Sequence, residues 1–328
     1  MPWDVVGHEG AVNLLRRDLA SGRLSHAYLF TGADGIGKQT LALQLAAAVN
    51  CENPPAPGEP CGSCRPCRLI PSLKHPDVFV LRPEGTSGKI LVDSARELIH
   101  TLALKPLEAR RRIALLLDFH RAPPGAANAL LKTIEEPPPS ALLLLTTETA
   151  DELLPTIVSR CRTVALRPLP DRAVSRALQE RWQVEPGRAE TLARLSGGRL
   201  GWAVAQARTE DSQTQRQELF DQWMRILQSG RAERFALAQQ VAEDRDQARQ
   251  ILPVWESFCQ DLLLRILSPQ AALANLDFSP AIETLSRTVS ALSARAWLAS
   301  LRRVEEQIDH NVNLRLALEA AFLDAPGI

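Results

Sequence analysis

The stretch HAYLFTGADGIGKQTLALQLAAAVN, residues 26–50, joins an apolar run, a glycine-rich loop and a helical run in that order. Gly32 to Lys38 fits the phosphate-binding pattern G-x-x-x-x-G-K, in which backbone N–H groups cradle phosphates and the lysine reaches the β and γ oxygens. The strand before the loop and the helix after it favour a phosphate-binding loop over a chance glycine-rich turn. The stretch predicts a nucleotide site that includes Gly32, Gly35, Gly37 and Lys38.

The position after Lys38 departs from this pattern. A Ser or Thr hydroxyl is expected there to bind Mg²⁺, but the chain has Gln39, followed by Thr40. An amide oxygen can touch a metal, yet it is a poor replacement for a small hydroxyl packed against Mg²⁺. The sequence leaves ATP or ADP binding open, with Gln39 and Thr40 beside the phosphates, and argues against Mg²⁺-supported hydrolysis.

A second departure follows the apolar run IALLLD, residues 113–118. Asp118 closes this run and can hold Mg²⁺ through water, although an Asp in this position can instead cap the next element. The following residue would orient the attacking water if it were Glu, but it is Phe119, which cannot polarise water. Gln39 and Phe119 together predict that the site does not hydrolyse ATP.

Short apolar runs alternate with helical stretches up to residue 167, as expected of an α/β domain with a parallel sheet. The runs after the phosphate loop are VFVL (78–81), IALLLD (113–118), LLLLTT (142–147) and TVAL (163–166). Helical stretches between them include VDSARELIHTLAL (92–104), GAANALLKTIEE (125–136) and DELLPTIVS (151–159). Residues 1–167 are therefore predicted to form one α/β domain.

The rest of the chain has a helical period and no strand pattern. Residues 168–208 read as a small helical unit with a turn at Ser196-Gly197-Gly198, and the polar stretch ARTEDSQTQ (207–215) reads as a linker. Residues 209–328 form a further helical domain in this prediction. Two apolar faces support it; they consist of Phe220, Trp223, Met224 and Leu227, and of Trp297, Leu301, Val304 and Ile308.

Four of the six cysteines lie in the segment CENPPAPGEPCGSCRPC, residues 51–67. Their C-x9-C-x2-C-x2-C spacing brings four thiolates close enough for a tetrahedral Zn²⁺, and four protein ligands make such a site structural. In a reducing compartment this pattern favours a metal over disulfides, with unpaired surface thiols as the alternative. The predicted ligands are Cys51, Cys61, Cys64 and Cys67. Cys259 lies on an apolar helical face and is predicted to be a core residue.

Composition restricts the class of protein. The 328-residue chain has 38 basic and 38 acidic residues, and 5% of its residues are aromatic. A protein that binds nucleic acid alone usually has a strongly basic face, so a zinc-bearing nucleic-acid-binding module is a disfavoured alternative. The start, MPWDVVGHEG, does not match a signal peptide, and no apolar run is long enough for a membrane span. A cytoplasmic protein without a membrane partner is predicted.

Several motifs together resemble the AAA+ clamp-loader family of bacterial DNA polymerase III. They are the cysteine array after the phosphate-loop helix, HPDVFVLRPE, NALLKTIEEPP and SRCR, with DVVGHEGAVNLL near the start and DHNVNLRLALEAAFL near the end. The resemblance covers nearly the whole chain and is closest to the delta-prime subunits, with gamma/tau subunits next. A gamma/tau-like motor that hydrolyses ATP is the alternative. It would need Ser or Thr after Lys38 and an acidic residue in place of Phe119.

This resemblance implies an AAA+ P-loop domain (residues 1–167), a helical lid (168–208) and a helical collar (209–328) that joins a ring of five subunits. The implied partners are the gamma/tau and delta subunits, a sliding clamp, and primed DNA through the assembly. The ring places the clamp on DNA during replication. The chain would then be a component of the DNA-directed DNA polymerase holoenzyme without intrinsic ATPase activity.

The resemblance also implies a role for the triplet Ser159-Arg160-Cys161. Arg160 matches an arginine finger that is presented to ATP in a neighbouring subunit. A guanidinium is permanently charged and planar, so it can stabilise charge that develops on a γ-phosphate. An ion pair between Arg160 and a local acid such as Asp151 is the alternative.

Two further matches are looser. Thr147 corresponds to the first nucleotide sensor, with Thr146 left open by a one-residue difference in the following loop, and a threonine that merely ends a strand as the alternative. Arg199 corresponds to the second sensor, or is a surface arginine.

The Glu135-Glu136 pair is either a subunit or clamp contact or a solvated helix end. For residues 110–112, three arginines, a solvated loop is favoured over a DNA contact.

Overall fold

A computed structural model of the chain describes residues 3–84, 88–208, 212–308 and 312–328. The described chain divides into two compact units. Unit 1 consists of Met1–Ala177 and Gly197–Trp202, and unit 2 consists of Leu178–Ser196 and Ala203–Ile328. The three-domain boundaries at residues 167 and 208 stay a prediction.

Unit 1 contains a five-stranded parallel sheet with the strand order β2-β3-β4-β1-β5. The strands are β1 (Ala27–Thr31), β2 (Val78–Leu81), β3 (Arg112–Leu116), β4 (Ala141–Thr147) and β5 (Arg162–Ala165). All five lie within a residue or two of the predicted apolar runs. The predicted α/β class with additional helices is confirmed.

Helices cover both faces of this sheet, which explains why its strands are continuous apolar runs. They are α1 (Glu9–Ala20), α2 (Lys38–Val49), α3 (Arg65–Leu69), α4 (Val92–Ala103), α5 (Pro124–Glu135) and α6 (Pro155–Val158). Successive side chains of a strand point to opposite faces. Phe30 therefore belongs to the core formed with α1 and α2, whereas its neighbour Leu29 belongs to the core formed with α4 and α5.

The prediction of one helix over residues 151–159 is wrong, because this stretch contains two separate short elements. A 3₁₀ turn (Ala150–Glu152) is followed by the non-helical backbone of Leu153 and Leu154, and the short helix α6 then begins at Pro155. Proline disfavours helical backbone in the residue before it and is well suited to the first helical position. Pro155 therefore starts a new helix instead of continuing the turn.

After β5 the described part of the chain contains helices and no strand, as predicted. The helices are α7 (Asp171–Trp182), α8 (Pro186–Ser196), α9 (Leu200–Arg208), α10 (Ser212–Gln228), α11 (Arg231–Ala242), α12 (Arg245–Leu267), α13 (Ser279–Ser286), α14 (Ala291–Gln307) and α15 (Leu314–Leu323). The predicted turn after Ser196 is present, and Gly197 and Gly198 both have positive φ.

The linker predicted over residues 207–215 is largely wrong. Helix α9 extends to Arg208 and α10 begins at Ser212, while residues 209–211 lie outside the described part. Polarity alone was a poor guide here, because an exposed helix end is as polar as a linker.

Both predicted apolar faces of the C-terminal half are confirmed in the core of unit 2. Trp223 of α10 stacks on Trp297 of α14, with ring centroids 5.5 Å apart. Cys259 of α12 is buried, and its Sγ accepts a hydrogen bond from Trp223 Nε1 at 3.4 Å. This confirms Cys259 as a core residue. No helix in the described residues is long and apolar enough to span a bilayer.

Candidate functional site

The phosphate loop connects β1 to α2, as the sequence pattern predicts. Gly32, Gly35 and Gly37 all have left-handed backbone, with φ of 140°, 72° and 113°. A Cβ at Gly35 would lie 2.8 Å from the backbone nitrogen of Trp202, so only glycine fits there. The N–H of Gly201 donates to the Gly35 carbonyl at 2.7 Å, which places the Gly197–Trp202 segment beside the loop.

Lys38 is buried at the first position of α2. Its Nζ donates to the carbonyl oxygens of Gly32 at 2.5 Å and Ala33 at 3.1 Å. The ammonium is therefore held against the loop and faces a cleft of about 260 Å³. The cleft is lined by Asp34, Gly35, Gly37, Lys38, Gln39, Thr40, Leu117, Asp118, Thr146 and Gly201.

Most of the residues predicted for the nucleotide site meet at this cleft. Gln39 and Thr40 lie at its exposed edge and Asp118 lies opposite, at the carboxyl end of β3. The Asp118 carboxylate makes no capping hydrogen bond among the described residues, so the helix-cap alternative lacks support. Asp118 has φ 47°, and its N–H donates to Thr146 Oγ1 at 2.9 Å.

Phe119 does not line the cleft of Lys38. It begins a 3₁₀ turn (Phe119–Arg121), is 1% exposed, and belongs to the apolar core formed with α4 and α5. Its ring lines a separate cavity of about 420 Å³. The position that would carry a water-orienting Glu therefore has an apolar side chain that is directed away from the phosphate loop.

Thr146 lines the cleft, whereas Thr147, the residue matched to the first sensor, is not among the residues that line it. The two are neighbours at the end of β4, where side chains alternate between faces. Thr147 Oγ1 lies within hydrogen-bonding distance of two acceptors, Glu152 Oε2 at 2.9 Å and the Thr149 carbonyl oxygen at 3.1 Å. Its hydroxyl thus holds the turn that precedes α6.

Arg199, the predicted second sensor, is not among the residues that line the cleft. It lies at the start of the segment that carries Gly201, and its guanidinium sits over the ring of Trp202, 5.6 Å from the ring centroid. The backbone of this segment, and not the arginine, forms the cleft wall.

The four predicted metal ligands come together just after α2. All four Sγ atoms lie within 4.8 Å of one another, with Cys61 to Cys67 at 3.9 Å and Cys64 to Cys51 at 4.0 Å. Sulfur atoms of a tetrahedral zinc site lie about 3.8 Å apart, since each Zn–S bond is about 2.3 Å. The cluster therefore fits a four-coordinate metal.

Hydrogen bonds around the sulfurs support thiolate ligands. The N–H of Cys64 donates to Cys61 Sγ at 3.2 Å, and this bond with the Ser63 hydroxyl lowers the pKa of Cys61 to about 5. Burial raises the pKa of Cys51 and Cys67. A bound divalent cation would offset that cost by stabilising the deprotonated sulfurs.

Arg160 follows α6 and is half-exposed. Its guanidinium donates from Nη1 to the Thr156 carbonyl at 2.9 Å and pairs through Nη2 with Glu135 Oε1 at 2.9 Å. A weaker contact joins Nη1 to Ser159 Oγ at 3.4 Å. The local acid is Glu135 of α5, and not Asp151 as the sequence alternative had it.

A buried ionic network at the edge of the sheet was not predicted. Asp77 is fully buried; its carboxylate accepts three backbone N–H groups of residues 107–109 and lies 3.4 Å from Arg112 Nε. Burial opposes ionisation, but these contacts outweigh it and lower the pKa of Asp77. Arg112 is the buried first residue of β3, so neither a solvated loop nor a DNA contact describes it.

A family model described as "DNA polymerase III, delta subunit" matches residues 7–170, half of the chain. The chain belongs to this family. The match spans the phosphate loop, the cysteine cluster and Arg160, so these features lie within the family's shared domain.

Individual relatives carry related names. The chain is 43% identical over 180 residues to DNA polymerase III subunit delta' of Pseudomonas aeruginosa, covering 53% of each chain. It is 34% identical over 201 residues to subunit delta' of Bacillus subtilis, covering 61% of this chain and 59% of that one. Subunit tau of Bacillus subtilis is 34% identical over 207 residues, 62% of this chain and 36% of that one.

The motif-based resemblance to delta-prime subunits, with tau next, is thereby confirmed. The chain matches between half and three fifths of the length of its delta' relatives.

Proposed function

We propose that the chain is a delta-prime-type subunit of a bacterial DNA polymerase III clamp loader, which presents Arg160 to ATP bound in a neighbouring subunit. The observation that carries this proposal is the contrast within unit 1. Phe119 is buried away from the cleft of Lys38, whereas Arg160 is half-exposed just after α6. Helix α6 itself is fixed, because Ile157 is buried in the core.

The proposed partners are gamma/tau and delta subunits in a five-subunit ring, the sliding clamp, and primed DNA bound by the assembly. Membership of the family and the names of the relatives support clamp-loader partners. The helices of residues 209–328 would assemble with those of other subunits as a collar, and residues 168–208 would act as the lid.

The cleft of Lys38 would hold the phosphates of ATP or ADP without hydrolysing it. Lys38 can exchange its bonds to the Gly32 and Ala33 carbonyls for phosphate oxygens, and the glycine N–H groups can cradle those oxygens. Thr146, which lines the cleft, would contact them as the first sensor. Gln39 replaces the small hydroxyl that Mg²⁺ needs, so Asp118, just after β3, would have to hold the ion without that hydroxyl.

The cysteine cluster would bind one structural Zn²⁺ through Cys51, Cys61, Cys64 and Cys67. The metal would tie the segment of residues 51–67 to the end of α2. Four sulfur ligands leave no open position for catalysis.

A tau-like ATPase is the second candidate function. The complete glycine pattern with a buried Lys38 and the 34% identity to a tau subunit favour it. A steady-state ATPase assay on the isolated chain separates the two candidates. We expect no activity above that of a Lys38→Ala variant, and a ring assembled without this chain should fail to load clamps. Turnover by the isolated chain would establish the tau-like alternative.

A further inference from the structure

The Arg160 guanidinium, which in the proposed function contacts ATP of a neighbouring subunit, forms an ion pair with Glu135 of its own subunit. Nη2 lies 2.9 Å from Glu135 Oε1, and Nη1 donates back to the carbonyl of Thr156, four residues earlier in the chain. The side chain is therefore folded back along α6, with both of its terminal nitrogens engaged within its own subunit.

The backbone next to Glu135 is held in place. Glu135 is the last residue of α5, and the carbonyl before it, of Ile134, is hydrogen-bonded to His26 Nε2 at 3.1 Å. Ile134 is itself fully buried. A carboxylate at the end of a helix opposes the helix dipole, so the partner that stabilises Glu135 is the guanidinium of Arg160.

The pair is weak enough to be exchanged. The side chains of Arg160 and Glu135 are 38% and 41% exposed, and exposed pairs of this kind shift an equilibrium by a factor of up to about five. A terminal phosphate carries more charge than one carboxylate and matches the guanidinium in a bidentate manner. A phosphate brought close to Arg160 would therefore displace Glu135.

We propose that Glu135 is the resting partner of Arg160, a positioning residue that holds the finger folded along α6 until a nucleotide-bearing neighbour takes it. The inference rests on the proposed function of Arg160. Because the resting contact competes with the engaged one, it lowers the fraction of fingers ready to engage, and with it the apparent affinity for ATP at that interface.

The test uses the full clamp-loader ring, assembled with wild-type chain, Glu135→Gln, Glu136→Gln or Arg160→Ala. Glu136→Gln is the matched control. Glu136 is the next residue in the chain, and the ion pairs of the described residues include Glu135 with Arg160 but none with Glu136. We expect Glu135→Gln to lower the KM for ATP about two- to fivefold with kcat unchanged. The effect should shrink at high salt, which screens exposed pairs. Glu136→Gln should change neither constant.

A second readout needs no partner subunit. In the isolated ¹⁵N-labelled chain, the Arg160 guanidinium should rotate faster in Glu135→Gln than in wild type or Glu136→Gln. Equal behaviour of the two glutamine variants, or a loss of kcat in Glu135→Gln like that of Arg160→Ala, would overturn the inference alone. If Arg160→Ala itself leaves KM and kcat unchanged, the proposed function fails and the inference fails with it.

Discussion

The phosphate-loop region and the α6 region of unit 1 differ in the side chains that they carry at the positions predicted to act on ATP. The phosphate loop keeps its shape, with three left-handed glycines and a buried Lys38, but its hydrolytic positions hold Gln39 and Phe119. Helix α6 lines no phosphate cleft, yet a charged, half-exposed Arg160 follows it. The comparison shows that the loop geometry of a phosphate site is present here without two of the side chains expected for hydrolysis.

The two regions differ in the direction of their side chains as well as in residue type, as two pairs of neighbouring residues show. Asp118 lines the cleft, whereas its neighbour Phe119 is directed into the core with α4 and α5. At the end of β4, Thr146 lines the cleft, whereas Thr147 holds the turn that leads to α6 through Glu152. The segment after β3 and the end of β4 therefore each have one residue that lines the cleft and one that is directed away from it.

The largest expected effect concerns the zinc ion proposed for the cysteine cluster that follows the phosphate-loop helix α2. Protein purified without chelator should contain one Zn²⁺ per chain, and Cys67→Ser should lose it. Because structural zinc binding supplies folding free energy, removal should destabilise unit 1 by about 5 kcal/mol or more. Metal analysis and thermal unfolding with and without a chelator measure this.

Cys161→Ala is the control for the metal experiment, since Cys161 lies outside the cluster. It should keep full metal content. Wild-type protein that contains no zinc, or that unfolds at the same temperature after chelation, would show that the cysteines do not form a structural site.

Phe119→Glu should have the next largest effect. This substitution introduces the Glu that would orient an attacking water. The new carboxylate would replace a ring that is 1% exposed in an apolar core. We expect a loss of about 2–5 kcal/mol in unfolding free energy and no gain of ATPase activity. Phe119→Leu, which stays apolar, should cost only about 1–1.5 kcal/mol. A stable Phe119→Glu variant that hydrolyses ATP would erase the contrast between the two regions.

The smallest effect concerns the turn before α6. Glu152 accepts from the Thr149 N–H at 3.2 Å and from the Thr147 hydroxyl at 2.9 Å. Burial opposes ionisation of Glu152, but these bonds and His120 outweigh it and lower its pKa. The contribution to stability is therefore present above the ordinary Glu pKa of about 4.5 and is lost as the pH falls through the lowered value.

Glu152→Gln should accordingly cost about 0.5–1 kcal/mol at pH 7 and less at pH 3. Urea unfolding at the two pH values measures the difference. Neighbouring Asp151 provides the control, because the bonds to Thr147 and Thr149 involve Glu152 and Asp151→Asn should leave them in place. An equal cost of Glu152→Gln at both pH values would mean that its charge does not hold the turn.

Sequence patterns predicted the parts of the molecule that depend on local chemistry. The β-strands are continuous apolar runs, the phosphate loop needs glycine at fixed positions, and the x2 spacings of the cysteines bring the sulfurs together. The motifs around Arg160 also led to the family that the comparisons confirm.

Features that depend on contacts between distant residues could not be predicted. Arg160 pairs with Glu135, 25 positions earlier in the chain, and not with the sequence neighbour Asp151. Arg112 followed two other arginines and resembled a solvated run, but its register in β3 places it against Asp77. Which of Thr146 and Thr147 lines the cleft depends on the face that each side chain occupies at the end of β4.

The central claim is that Arg160 acts on a neighbour's ATP while the chain's own cleft is not hydrolytic. The direct measurement is clamp loading and clamp-stimulated ATPase by rings that contain Arg160→Ala or Lys38→Ala, with the exposed Arg167→Ala as a control. An arginine finger contributes on the order of 10³-fold or more at one site, although the other sites of the ring mask part of that loss in total hydrolysis. We predict that Arg160→Ala impairs loading far more than Lys38→Ala does, with folding, zinc content and assembly unchanged. An essential Lys38 with a dispensable Arg160 would contradict the account.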